Sequence, residues 1–195
     1  FLKLIGKECA MTKEVVVYHS GYGHTKKVAE QVAKGASSVA QTEVTLLSVE
    51  EVQGDFTPFN EADGIIFGAP TYMGSYSAQF KAFIDAASKI WLKQGWKDKL
   101  AAGFTNSGGL SGDKLNTLHS LYVNAMQHSM IWVSAGIATA GPSPNDINRI
   151  GSYSGLMTQA DNASPEVTPP QADLQTAEQF GARFAHAVAR WVKGK

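Results

Sequence analysis

The stretch that decides the fold is Val15-Val16-Val17-Tyr18-His19-Ser20-Gly21-Tyr22-Gly23-His24-Thr25, followed by apolar residues at Val28, Val32 and Ala36. The run Val15–Tyr18 is β-branched and aromatic without alternation, the pattern of a strand buried on both faces, as in a parallel sheet. The glycine-bearing turn Ser20–Thr25 follows, and the spacing of the next apolar positions is helical. Working outward, Glu43 to Val49 predicts a second strand. Asp63 to Phe67 predicts a third, closed by Gly68-Ala69-Pro70. Ala78 to Ile90 predicts a helix, Leu100 to Phe104 a fourth strand, Gly112 to Gln127 a fourth helix and Met130 to Val133 a fifth strand. Asp173 to Val192 predicts a closing amphipathic helix, with Leu174, Ala177, Phe180, Phe184, Val188 and Trp191 as its apolar stripe. Alternating strands and helices make a parallel sheet with helices on both faces, a three-layer α/β/α arrangement. Five strands favour the doubly wound order 2-1-3-4-5. Ligands then sit beyond the carboxyl ends of the strands, where the order reverses.

Composition narrows the function. With 17 basic and 17 acidic side chains the formal net charge is zero, and there is no basic stripe of the kind nucleic-acid binding needs. No stretch approaches the roughly 20 apolar residues of a membrane span. Cys9 is the single cysteine, so an internal disulfide is impossible, which fits a reducing cytoplasmic setting. Residues 1–10, ahead of Met11, read as a foreign or read-through remnant. Residues 11–195 then form a single domain without a native cysteine, which excludes thiol catalysis. No spacing of His, Cys or carboxylates suggests a metal site. Residues 134–171 are rich in Gly, Pro, Ser and Asn, and a connection that long predicts a functional lid or an interface.

Three loops fall where the crevice belongs. In Ser20-Gly21-Tyr22-Gly23-His24-Thr25 the glycines permit close backbone approach, and the helix start favours an anion. The loop lacks the lysine of a nucleotide-binding P-loop and the third glycine of a dinucleotide turn. Its plainer reading is a tight turn with Thr25 as helix cap. Pro70-Thr71-Tyr72-Met73-Gly74-Ser75 puts an aromatic ring and a thioether at the rim, suited to a flat ring. Alternatively it is a surface turn with Ser75 or Ser77 as cap. Thr105-Asn106-Ser107-Gly108-Gly109-Leu110-Ser111-Gly112 offers amides to a polar ring edge, or is merely a flexible Gly/Ser loop. No Gly-x-Ser-x-Gly elbow is present, which argues against hydrolase chemistry.

The motifs at 18–25, Gly-Ala-Pro-Thr-Tyr-Met-Gly at 68–74, Phe-Thr-Asn-Ser-Gly-Gly at 104–109 and Gln-His-Ser-Met at 127–130 resemble one family. It is the tryptophan-repressor-binding-protein type (WrbA-type) of flavodoxin-like NAD(P)H:quinone oxidoreductase. The resemblance spans about Lys13 to Val133 and returns in the last helix. It implies a flavodoxin-like fold, flavin mononucleotide (FMN) as cofactor, NADH or NADPH as hydride donor and a quinone acceptor. It also implies a tetramer or dimer with sites completed by neighbouring subunits. On this resemblance Ser20, Gly21, Tyr22, Gly23, His24 and Thr25 would cradle the FMN phosphate, with Tyr22 also at the nicotinamide entrance. Pro70, Thr71, Tyr72, Met73 and Gly74 would flank the ring system. Thr105, Asn106, Ser107, Gly108, Gly109, Leu110 and Ser111 would hold its pyrimidine side, His128 would reach the flavin, and Trp91 would help form the quinone site. Tyr72 stands where the family usually has Arg, and Leu110-Ser111 stand where it has a longer glycine run. Two other readings stay open: an electron-carrier flavodoxin, whose usual acidity this chain lacks, and a regulatory flavodoxin-like protein without redox activity.

Overall fold

A computed structural model describes residues 11–194. The first ten residues, read above as a remnant, and Lys195 lie outside the described residues. The elements are β1 (Thr12–Tyr18), α1 (His24–Ser37), β2 (Thr42–Ser48), α2 (Val49–Val52), α3 (Thr57–Glu61), β3 (Gly64–Tyr72) and β4 (Ser75–Tyr76). They continue with α4 (Ala78–Ala86), α5 (Ser88–Trp91), β5 (Leu100–Ser107), α6 (Lys114–Gln127), β6 (Ile131–Trp132), β7 (Leu156–Gln159) and α7 (Gln171–Lys193). The main sheet is parallel, in the order β2-β1-β3-β5-β6, with β7 also parallel on β5. This is the expected doubly wound order, because β4 is only a hairpin arm on β3.

The two-faced burial of β1 organises the layers. Val15 and Val17 enter a core with Phe59, Phe67, Trp96, Leu118 and Leu121. Val16 and Tyr18 enter the other core, with Val28, Val32, Phe104, Phe180 and Phe184. Each such apolar side chain contributes about 1.5–3 kcal/mol on full burial. Under the sheet α1 and α7 cross backbone to backbone. A Cβ on Gly35 would lie 1.8 Å from the Glu178 carbonyl oxygen, and one on Gly181 1.9 Å from that of Val32. Trp191, expected in the core stripe, sits at its rim, 37% exposed, with its indole N–H on the Asp98 carbonyl.

Several boundaries differ from expectation. β3 runs through Gly68-Ala69-Pro70 to Tyr72. Its pairing with β1 ends at Gly68, so Pro70 faces a strand only on the β5 side and its missing N–H is tolerated there. β5 extends to Ser107 and absorbs Thr105 and Asn106 from the expected third loop. The fifth strand is split: β6 rests on the start of β5 and β7 on its end, and residues 133–155 leave the sheet between them. The helix expected over 78–90 breaks at Ala87 into α4 and α5.

Glu14 is buried in β1 with neither carboxylate oxygen hydrogen bonded. Burial first, and the Asp63 charge second, push its pKa up to about 8. The folded form therefore holds a proton that the unfolded chain releases above the ordinary value of 4.5. The stability this proton gives is full below pH 4.5 and is lost as pH rises toward 8. Glu14→Gln is expected to flatten that slope and raise stability at pH 8 by on the order of 2 kcal/mol. Urea denaturation at pH 5 and pH 8 checks this; parallel slopes in variant and parent would refute it.

Candidate functional site

The first loop joins the carboxyl end of β1 to α1. Gly23 is the residue before the helix, at φ 90°, and no side chain caps α1 through it. Ser20 does the capping from outside: its Oγ accepts from the amides of Gly23 and Lys26, each at 3.1 Å. Thr25, the cap expected from sequence, lies buried in the first helical turn. That turn contains no acid, and the amides of His24 and Thr25 have no intrahelical acceptor. The loop thus keeps free N–H groups at the positive end of a 14-residue helix. The 163–165 segment roofs it: a His24 ring nitrogen lies 2.8 Å from the Ala163 carbonyl, and Pro165 covers Gly23.

The second loop is a two-residue hairpin turn. Met73 and Gly74 have φ of 48° and 84°, and Thr71 and Tyr72 pair with Tyr76 and Ser75. Tyr72 folds over the first loop. A Cβ on Gly21 would meet its hydroxyl at 2.6 Å, and its ring meets Tyr22 edge-on at 6.2 Å between centroids. Burial first, then the neighbouring Tyr22, raises the Tyr72 pKa, while the Gly21 amide hydrogen bond opposes the shift. Met73 is fully exposed at the tip. The first and second loops therefore touch, as the sequence predicted.

The hydroxyls of Thr71 and Thr105 and the side-chain oxygen of Asn106 are engaged within the protein. Thr71 Oγ1 lies 2.8 Å from Thr105 Oγ1 and 2.7 Å from Thr117 Oγ1, all buried, which ties β3 and β5 to α6. Asn106 Oδ1 accepts from Thr158 Oγ1 at 2.8 Å and fastens β7. These side chains are strand fixtures because β5 and β3 run further than their motifs suggested. The loop proper is 108–113, and Leu110 and Ser111 are exposed on it.

Beneath this third loop lies a polar cluster that sequence reasoning missed. Lys114 is fully buried, and its Nζ donates to Ser107 Oγ at 3.0 Å and to the Gly109 carbonyl. Gln159 donates its side-chain amide to the Gly108 carbonyl at 2.9 Å. Arg149 donates from Nε to Asp173 at 2.7 Å and from a terminal nitrogen to the Gln159 side-chain oxygen at 2.9 Å. Asp173 also accepts the Gln159 backbone amide. Burial pulls the Lys114 pKa down to about 8. No local pattern marks these residues, since the partners are distant in sequence.

Two expected residues are not brought to the loops. His128 ends α6 just before β6, which pairs with the first two residues of β5. The third loop leaves the other end of β5, roughly 20 Å away along the strand. The His128 ring is buried against Trp96, 4.4 Å between centroids, away from the loops of its own chain. Trp91 is exposed, but α4 and α5 have carried the chain back toward that same far edge, where Gln94 meets Ser129. A cleft of about 1210 Å³ opens between α6 and residues 149–154, with Leu110 and Ser111 of the third loop and Tyr122, Trp132 and Tyr153 in its wall. Among the described residues no group of His, Cys, Asp and Glu could hold a metal, and no helix is long and apolar enough to cross a membrane.

Comparison with known proteins shows the family and the fold. Residues 16–142 match the family model described as NADPH-dependent FMN reductase. The chain is 43% identical over 178 residues to Flavodoxin FldP of Pseudomonas aeruginosa, covering 90% of this chain and 96% of that protein. It is 37% identical to Quinone-oxidoreductase QR2 of Triphysaria versicolor, covering 89% and 94%. Among solved structures, the flavodoxin, WrbA-like protein from Agrobacterium tumefaciens superposes with a TM-score of 0.73 at 42% identity, covering 92% of this chain and 98% of that one.

Proposed function

Because this chain belongs to the NADPH-dependent FMN reductase family, we propose that it is an FMN-dependent NAD(P)H:quinone oxidoreductase. The first loop carries the reading: a helix start with free amides, no acid in its first turn and a left-handed glycine before it suits a phosphate monoester. No cation is needed there, and none is present between Ser20 and Thr25. The donors fit FMN: Ser20 and the backbone of Gly21 to Thr25 for the phosphate, Tyr72 and Met73 as ring walls, and the amides of 108–111 for the pyrimidine edge. Bound FMN would supply the redox chemistry, accepting hydride from the nicotinamide and passing two electrons to the acceptor. The chain's own part is to hold and shield. Tyr72 and Tyr22 wall the mouth of the first loop, and the 163–165 segment roofs it. Full opening of the cradle would require Tyr72 to move off Gly21. Trp91, distant from its own chain's crevice, would serve a neighbour's site in a dimer or tetramer, as the exposed apolar residues Leu115, Tyr122 and Val123 of α6 also favour.

A carrier flavodoxin is the second reading, favoured by the 43% identical relative that bears that name. Against it stands the zero net charge, since a carrier docks electrostatically. Anaerobic stopped-flow of the FMN-loaded protein with NADPH or NADH, followed by benzoquinone, separates them. The enzyme is reduced directly and turns over with quinone; bleaching only through a reductase partner would establish the carrier.

A further inference from the structure

The polar cluster beneath the third loop leaves one positive charge over. Among the described residues the Lys114 ammonium has only neutral acceptors, Ser107 Oγ and the Gly109 carbonyl. The acid whose charge reaches it, Asp173 on α7, is held by two nitrogens of Arg149, at 2.7 and 3.2 Å. Arg149 and Asp173 are themselves buried, so water does not screen the balance. Their opposite influences on Lys114 are both felt, and no other charged group shifts it. Burying an ammonium without a bonded counter-ion is costly, and a methionine of similar length would fill the space without that cost. A residue that is expensive for the fold and sits directly under a ligand loop acts on the ligand.

We propose that Lys114 is a positioning residue that presents, through Ser107 and Gly109, a positive potential at the pyrimidine edge of the flavin and so favours the reduced cofactor. The inference rests on the reading of the third loop as the pyrimidine-binding element. Reduction makes that edge more electron-rich, and a buried cation one hydrogen-bonded residue away lowers its energy more than that of the oxidised ring. Hydrogen bonding to Gly109 also ties the loop to the start of α6.

The test begins with fluorescence titration of the parent protein by FMN. If it binds none, the reading of the site fails, and with it the ground for this inference. If it binds, Lys114→Gln, which keeps an N–H donor and removes the charge, is compared by redox titration at pH 7. Oxidised FMN should bind within a few-fold of the parent, while preference for the reduced form falls at least tenfold, which is about 30 mV in a two-electron midpoint potential. An unchanged potential in a folded, FMN-loaded variant overturns the proposal. Should the variant not fold, the parent suffices: its potential should fall more steeply with pH somewhere between 8 and 10, as Lys114 loses its proton earlier in the oxidised protein. A profile with no such steepening overturns it equally.

Discussion

Replacing Gly23 with aspartate is expected to weaken FMN binding by roughly a thousandfold, about 4 kcal/mol. Two effects combine. Gly23 has φ 90°, and a Cβ there would press on Pro165 at 2.8 Å, so any side chain displaces the roof over the loop. A carboxylate would also stand beside the phosphate position, where two like charges about 4 Å apart at a protein surface repel by roughly 4 kcal/mol. Gly23→Ala isolates the first effect and should lose far less affinity than Gly23→Asp. Fluorescence titration with FMN measures both. Equal affinity for parent and aspartate variant would show that the phosphate does not lie against this turn.

For His128 burial against Trp96 favours a core role over the flavin contact that the resemblance implies. His128→Ala is expected to cost about 2–4 kcal/mol of stability, as removal of a buried ring leaves a cavity against Trp96. Turnover per FMN-loaded molecule should stay within twofold of the parent. A pH signature accompanies this. Burial pulls the His128 pKa down to about 4. The folded protein keeps the ring neutral while the unfolded chain takes up a proton below about 6.5, so the stability is full above 6.5 and is lost as pH falls through 4. The alanine variant should be less stable at pH 7 and show a shallower acid limb. Thermal melts at pH 7 and pH 5, with parallel NADPH–quinone assays, check both parts. An intact melting temperature with lost turnover would restore a role in the chemistry.

How much could be read ahead of the structure follows from which signals are local. The unbroken apolar run Val15–Tyr18 announced burial on both faces, and the cores on either side bear it out. The loop at 20–25 was legible because glycine placement and helix onset are adjacent in sequence. β7 was not: Leu156–Gln159 is four residues long in a Gly/Ser-rich stretch, and only pairing with β5 makes it a strand. Thr71 and Thr105 looked like loop hydroxyls, because nothing local reveals that they meet each other and Thr117. Nothing in the sequence around Lys114 singles it out. Its burial is decided by Ser107, Gly109 and the 149–173 region packed around it.

The interrupted fifth strand has a bearing on how this scaffold can change. β6 and β7 dock on the same neighbour, β5, at its two ends, so both margins of residues 133–155 are anchored independently. The chain between them can be lengthened, pruned or exchanged at a closure cost that grows only with the logarithm of its size. Arg149 and Asn148 are tethers such a graft would have to respect, since they reach from the excursion to Asp173 and Thr176 on α7. Related sequences could therefore reshape the surface beside α6 by swapping this one cassette while leaving the first loop unchanged.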